Sequence, residues 1–216
     1  MNALKTLAAS ALAFVLVAGP ALAASAPIAP APPAGTYLMD KTHTSVTFRI
    51  SHMGFSRYTA RFAAVDGKLR FDPAAPAAMA VEATIDPMSL ELNAPPAGFH
   101  DQLMGKGFFD AGAFKVIAFK STKVVVTGAN TAKVTGDFTL HGVTKPLTLD
   151  VTYNGGYPAN AMDPGGARVG FSAHGTVKRS AWGMGAGVPA PGSNFGVGDD
   201  VEVMIETEFS GGKPQK

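Results

Sequence analysis

Thr42-His43-Thr44-Ser45-Val46-Thr47-Phe48-Arg49-Ile50-Ser51 places Val46, Phe48 and Ile50 at alternate positions, with Thr47, Arg49 and Ser51 between them. A period of two is the periodicity of a strand with one apolar face, not of a helix. The alternation returns at Val81/Ala83/Ile85, Ile117/Phe119, Phe138/Leu140, Leu147/Leu149/Val151, Val169/Phe171/Ala173 and Val201/Val203/Ile205. So many one-sided strands must enclose a shared apolar interior, and the function turns on whether that interior is full or hollow.

Working outward, strands are expected near Tyr37–Met39, Ser45–Ser51, Ala60–Phe71, Ala78–Asp86, Val116–Val126, Lys133–Leu140, Leu147–Tyr153, Arg168–Lys178 and Val201–Phe209. No long helical pattern separates them, so parallel crossovers are excluded and an antiparallel sheet or barrel is expected. Asp66-Gly67, Thr127-Gly128-Ala129-Asn130 and His141-Gly142-Val143-Thr144-Lys145-Pro146 read as hairpin joints. Two long interruptions stand out: Pro87–Phe114, with a helical turn expected around Phe99–Met104, and the Gly/Pro-rich Arg179–Gly198. Loops of this length in a compact domain are uncommon and often functional, and in a barrel they would cover one end.

Upstream of the strands, Lys5, an apolar run from Leu7 to Val17, a Gly19-Pro20 break and Ala21-Leu22-Ala23 have the order of a secretory signal peptide cleaved after Ala23. The run is shorter than the roughly 20 residues a membrane-spanning helix needs. Residues 24–34 hold four prolines among small residues and read as a poorly ordered spacer. One domain is expected over 35–212. With no cysteine, neither a disulfide nor a lipid anchor on a thiol is available, and the fold must rest on its own core. The chain has 18 Lys and Arg against 16 Asp and Glu, and loss of Lys5 with the leader leaves it one charge from neutrality. That balance does not suggest a nucleic-acid partner.

An eight-stranded barrel can be filled by its own side chains or can hold a ligand. Ala83, Gly136, Ala173 and Gly175 share faces with large residues, either leaving room inside or accommodating neighbouring phenyl rings. The inward set is Phe48, Ile50, Phe62, Leu69, Phe71, Val81, Ile85, Ile117, Phe119, Phe138, Leu140, Leu149, Val151, Phe171, Val203 and Ile205. Met104, Phe108, Phe109, Phe114 and Trp182 lie in the long interruptions, where a portal role competes with a core role; Trp182 offers an apolar face and one N–H donor. Arg179, at a strand end, reads equally as a head-group donor or a surface ion pair.

The five histidines, His43, His52, His100, His141 and His174, lack the spacing of zinc sites, so no metal is expected. There is no Gly-x-Ser-x-Gly elbow, no Cys nucleophile and no phosphate loop between strand and helix. Gly183–Gly187 reads as a flexible flap. An enzyme is not expected; if one were hidden here, the His100/Asp101 pair would have to face the cavity.

Several segments together resemble the YceI-like family. They include Tyr37–Phe48, Ser51-His52-Met53-Gly54, Gly67–Asp72 and Asp101-Gln102-Leu103 through Phe108-Phe109-Asp110. They continue with Phe119–Thr122, Gly136–Pro146, Lys178-Arg179-Ser180, Trp182-Gly183 and Val197–Val201. The ordered combination spans nearly all of the chain after the leader. It departs from the family pattern at Pro87–Gly98 and by extra Gly/Pro residues at Gly183–Gly192. The resemblance implies an all-β, extended eight-stranded antiparallel barrel, lipocalin-like in shape, with short helical turns in its loops. It also implies a periplasmic location and a lumen holding a long isoprenoid, polyprenyl or quinone-type, or a similar amphiphile, with no cofactor. A filled barrel serving as a protein-interaction module is the alternative. Transient contact with a membrane or membrane protein, and a homodimer through an exposed strand edge, remain open.

Overall fold

Antiparallel ladders join strand to strand around the whole molecule in a computed structural model that describes residues 31–163 and 165–211. The leader, the spacer up to residue 30 and the tail past 211 lie outside the described residues. The strands are β1 (Gly35–His52), β2 (Ser56–Phe62), β3 (Val65–Phe71), β4 (Ala80–Ile85), β5 (Leu90–Glu91) and β6 (Ile117–Val126). They continue as β7 (Thr131–Leu140), β8 (Val143–Tyr157), β9 (Ala167–Lys178) and β10 (Val197–Gly211), and the one α-helix among the described residues, α1 (Phe99–Met104), is the helical turn expected there.

These ten segments make eight barrel strands. β1 pairs with β2 over Val46–His52 and with β3 over Gly35–Leu38, in one antiparallel direction. β5 and β4 pair with β2 and β3 in turn. The two interruptions lie side by side: Ala63 N donates to Ser89 O and Asp86 N to Ala64 O, both at 3.0 Å. β2/β3 and β4/β5 are therefore each one bent strand. The circuit closes where β10, already paired with β9, also pairs with β1 from Tyr37↔Gly211 to His52↔Val197. Closure removes the free edges an open sheet would expose.

Three sequence expectations change. Tyr37–Met39 and Ser45–Ser51 are one strand, interrupted by a register shift between Asp40 and Ser45 where β1 holds three more residues than β10. An odd excess reverses the alternation, so Met39 faces the cavity before the shift and Val46, Phe48 and Ile50 after it. Asp66-Gly67 is no hairpin joint but lies within β3; a Cβ on Gly67 would sit 2.9 Å from Met39 Cε, so this glycine serves a close approach. The His141-Gly142 joint is tighter than expected: those two residues alone, with φ of 50° and 73°, connect β7 to β8, the geometry of a type I′ turn. The end of the spacer packs on the barrel, with Pro32 buried and Pro33 O accepting from the Tyr37 hydroxyl at 2.7 Å.

The upper end of the barrel carries the 53–55 turn, the 92–116 segment with α1, the 141–142 turn and the 183–196 connection. Its core joins Phe62, Leu90, Met104, Ile117, Leu140, Trp182 and Met184. The lower end is packed by Tyr37, Leu69, Phe71, Val169 and Phe209. Of the small interior residues, two are filled by neighbours. A Cβ on Gly136 would lie 2.5 Å from Phe119 Cζ and 2.6 Å from Lys120 O, and one on Gly175 2.7 Å from Leu149 Cδ2.

Gly136→Ala is expected to cost about 1–3 kcal/mol through forced displacement of the Phe119 ring. In a Phe119→Ala background the cost should shrink but not vanish, because the Lys120 carbonyl stays; equal costs in the two backgrounds, by urea unfolding, would show that the ring is not held there.

Candidate functional site

Between the two packed ends the lumen is hollow. Its volume is about 1040 Å³, at the top of the roughly 300–1,000 Å³ range of small-molecule sites. Phe48, Ile50, Val81, Ala83, Ile85, Phe119, Phe138, Leu149, Val151, Phe171, Ala173, Val203 and Ile205 form the wall. All are supplied by the inward alternation of the strands. Tyr153 lies between Phe171 and Phe71, with ring centroids 5.4 and 5.9 Å away, and burial raises its hydroxyl pKa. Ser121 and Thr207 put hydroxyl groups on this wall; Ser121 Oγ accepts from Val81 N at 2.9 Å, and Thr207 Oγ1 bonds Thr44 Oγ1 at 2.9 Å.

The lining reaches exposed residues at both ends. Below it meets Pro73, Pro76 and Gly128–Thr131, from the 72–79 and 127–130 connections. Above it meets His52, Ser56 and Asn93–Pro96. The Tyr58 hydroxyl accepts from Asn93 N at 3.0 Å and so fastens the 93–96 segment to β2 beside that upper mouth.

Fifteen of the sixteen site residues read from the sequence meet on this wall: Phe48, Ile50, Phe62, Phe71, Val81, Ile85, Phe108, Phe109, Ile117, Phe119, Phe138, Leu140, Leu149, Phe171 and Arg179. Phe108 and Phe109 follow α1, and Phe109 packs edge-on to Phe62 at 5.8 Å. The sixteenth, Trp182, is not on it. Its ring, 5% exposed, packs on Phe138 at 5.5 Å, and Nε1 donates to Phe138 O at 3.3 Å. A large ring with one satisfied donor serves as a wedge between the 179–182 turn and β7, not as a portal. Sequence reasoning missed Met39, Met79, Tyr58 and Asn93 on the lining; the Met39 position was hidden by the reversal of alternation within β1.

Arg179 takes a role that neither sequence reading named. Only 5% exposed, it donates through Nε to Gly198 O at 2.8 Å and through Nη1 to Met184 O at 2.6 Å and Ala186 O at 2.8 Å. Nη2 donates to Val197 O at 2.8 Å. Burial pushes its pKa below the ordinary value, but a guanidinium stays protonated. Four of its five N–H groups thus satisfy backbone carbonyls, two in the 183–196 connection and two at the start of β10, and Gly183–Gly187 is a tethered strap, not a flexible flap. Arg179 also borders the cavity.

Among the described residues, the polar groups elsewhere are occupied with one another or with neighbouring rings. His100 Nδ1 is 3.7 Å from Asp101 Oδ1, and neither residue lines the cavity. The ring of His141 packs on Phe114 at 4.9 Å. Asp40, His43 and Glu208 bring ligand-type atoms within 4.8 Å of one another. That cluster already has its cation: Arg168 Nη1 pairs with Asp40 and, at 2.8 Å, with Glu208, while Nε pairs with Asp163 at 2.9 Å. Bonds from Thr42, Arg168 and His43 hold Asp40 well below the usual carboxylate range. Arg168, Tyr157 and the Gly165 amide hold Asp163 down at about 2.

Comparison with known proteins agrees with this architecture. The model of the YceI-like domain matches residues 37–209. A UPF0312 protein of Pseudomonas fluorescens is 39% identical over 188 residues, covering 83% of this chain and 86% of its own. Among solved structures, Burkholderia cenocepacia BcnA superposes with a TM-score of 0.65 at 26% identity, over 79% of this chain and 98% of its own. A polyisoprenoid binding domain from Saccharophagus degradans superposes with a TM-score of 0.55 at 15% identity, over 81% and 97%, a likeness of fold.

Arg179→Lys is expected to destabilise the protein by about 3 kcal/mol, since a single ammonium cannot reach four carbonyls and buried acceptors left unpaired cost about 1–3 kcal/mol each. Limited proteolysis should then cut within 185–196; wild-type resistance there would contradict the clamp. Asp40 and Asp163 have folded pKa values below their unfolded ones. Their stabilisation is therefore present above about pH 4 and lost progressively as the pH falls from there, that of Asp163 through about 2 and that of Asp40 lower still. Urea midpoints should follow that slope in wild type and flatten in Arg168→Met.

Proposed function

We infer that this chain, which belongs to the YceI-like domain family, is an exported lipid-binding barrel that sequesters or carries one long-chain isoprenoid, polyprenyl or quinone-type, in its lumen. The observation that carries the reading is the elongated cavity of about 1040 Å³ with an almost wholly apolar wall. A cavity lined this way has too few polar partners to hold ordered water. Its shape suits a flexible hydrocarbon chain threaded between the strands, and the likeness in fold to a polyisoprenoid binding domain points the same way. The expected leader over 1–23 supports a periplasmic site of action. A binding role, not catalysis, fits a lumen whose wall holds no acid–base pair among the described residues.

Burying a hydrocarbon chain from water is worth about 0.8 kcal/mol per CH₂. A prenyl lipid drawn from a membrane starts already dry, so its tail supplies little net drive. Selectivity then falls to shape along the wall and to the polar residues that line its upper part, Arg179, His52, Ser56 and Asn93. An acceptor oxygen on the head group is the chemistry these groups recognise.

Protein purified from the exported fraction without detergent should carry one apolar molecule per chain in native mass spectrometry, identified after organic extraction as an isoprenoid. Ala173→Trp, which fills the middle of the lumen, should remove it while leaving cooperative unfolding intact. Ligand-free wild type that also fails to take up added prenyl lipids or quinones would reject the reading.

A further inference from the structure

Two phenyl rings project from the upper end with no partner. Phe55, at the tip of the 53–55 turn, is 89% exposed, and Phe195, at the tip of the 183–196 strap, is 82% exposed. They ride on one joined edge. Met53 N donates to Gly196 O at 2.8 Å, and a Cβ on Gly54 would be 3.0 Å from Asn194 Cβ. The upper mouth of the cavity opens beside them, since Ser56 and His52, which flank the turn, are on its lining.

The rim around these rings is uncharged. Asp, Glu, Lys and Arg make up 16% of the chain, yet none occurs in Ser51–Ser56, Leu92–Phe99 or Gly183–Gly198. Two of the charges that flank these stretches are held in pairs, Arg57 with Glu202, and Lys178 with Asp199 at 3.1 Å. Exposed charges at this end include Asp101, Lys106 and Lys115, all in the 92–116 segment that carries α1. A protein partner is ordinarily met by a rim of polar and charged groups. A rim without any charge is what burial in an apolar medium requires, because a desolvated charge is costly, and aromatic rings on such a rim suit the boundary between head groups and acyl chains. The Arg179 clamp holds the strap that carries Phe195, so the two rings are presented together. The lower end exposes Val125, Val126 and Met162, but among the described residues no phenylalanine.

We propose that Phe55 and Phe195 dock the barrel on a lipid bilayer, seating the upper mouth of the lumen against the membrane so that the ligand passes between them without crossing water. This rests on the lumen being a lipid site. Docking is driven by apolar contact, so it does not depend on anionic lipid and is insensitive to salt, unlike adsorption through exposed charges.

The test is flotation of the mature chain with pure phosphatidylcholine vesicles. Wild type should float equally at about 0.05 and 0.5 M NaCl, where screening differs severalfold. Phe55→Ser/Phe195→Ser should weaken the partition at least about tenfold, and Val125→Ser/Val126→Ser should leave it unchanged. Against misfolding of the double variant, Phe55→Trp and Phe195→Trp in a Trp182→Phe background should each shift to the blue and be quenched by brominated lipid. No flotation, loss with salt, or equal loss in the Val125/Val126 variant overturns the proposal. So does a wild-type dimer that dissociates in the Phe55/Phe195 variant without flotation, which would assign the tips to a second copy. Lipid loading of the Phe55/Phe195 variant from detergent micelles, read by native mass spectrometry, separates the two inferences: loading without flotation in wild type keeps the lumen site and removes the docking.

Discussion

The pairing of β1 with β10 is the constraint on which the rest of the molecule depends. It converts a meander of hairpins into a closed wall, and its register decides which side of each strand is the inside. Opposite Ile205, Val203 and Val201 stand Val46, Phe48 and Ile50, and a slip of one residue would turn Thr47 and Arg49 inward instead. The three-residue excess in β1 between Asp40 and Ser45 is what reconciles the two halves of the strand with a single β10. Asp40, Thr42, His43 and Thr44 fill that irregularity with hydrogen bonds to one another, and Arg168 ties it to β9 and β10. A polar cluster that first suggests a metal centre is thereby the fastening of the barrel seam.

Much of this was legible in the sequence because one face of each strand is buried and the other is not. The alternation of Val46/Phe48/Ile50 or Val201/Val203/Ile205 needs no knowledge of the partner strand to be read. Three features were not legible, each for a physical reason. The reversal within β1 depends on how many residues β10 supplies opposite it. Asp66-Gly67 carries a turn signal, but Gly67 is small because Met39 and the Glu82 carbonyl crowd it across the sheet. Arg179 and Trp182 follow a strand end, where surface residues are common; only the carbonyls of a Gly/Pro-rich strap, in need of donors once buried, hinted that a guanidinium would be turned inward.

Whether the interior is full or hollow is likewise settled by neighbours and not by composition. Gly136 and Gly175 look like empty space, yet the Phe119 ring and the Leu149 side chain occupy it. Ala83 and Ala173 border the cavity. The packed clusters gather at the two ends and leave the middle open, so the same apolar alternation that builds the core also builds the lumen. The upper end then combines the clamp on the strap, the polar residues of the mouth and three rim segments without Asp, Glu, Lys or Arg.

The most direct test of a hollow, end-to-end lipid lumen is an NMR measurement of contacts between a prenyl lipid carrying ¹³C-labelled methyl groups and the side chains of the wall. The account predicts intermolecular nuclear Overhauser effects from one bound chain to Phe48 and Ile50 toward the upper end and to Phe171 and Val81 further down the barrel, with methyl groups at different depths reporting different residues. Contacts confined to exposed loop residues, with none to Phe119, Phe171 or Leu149, would contradict it.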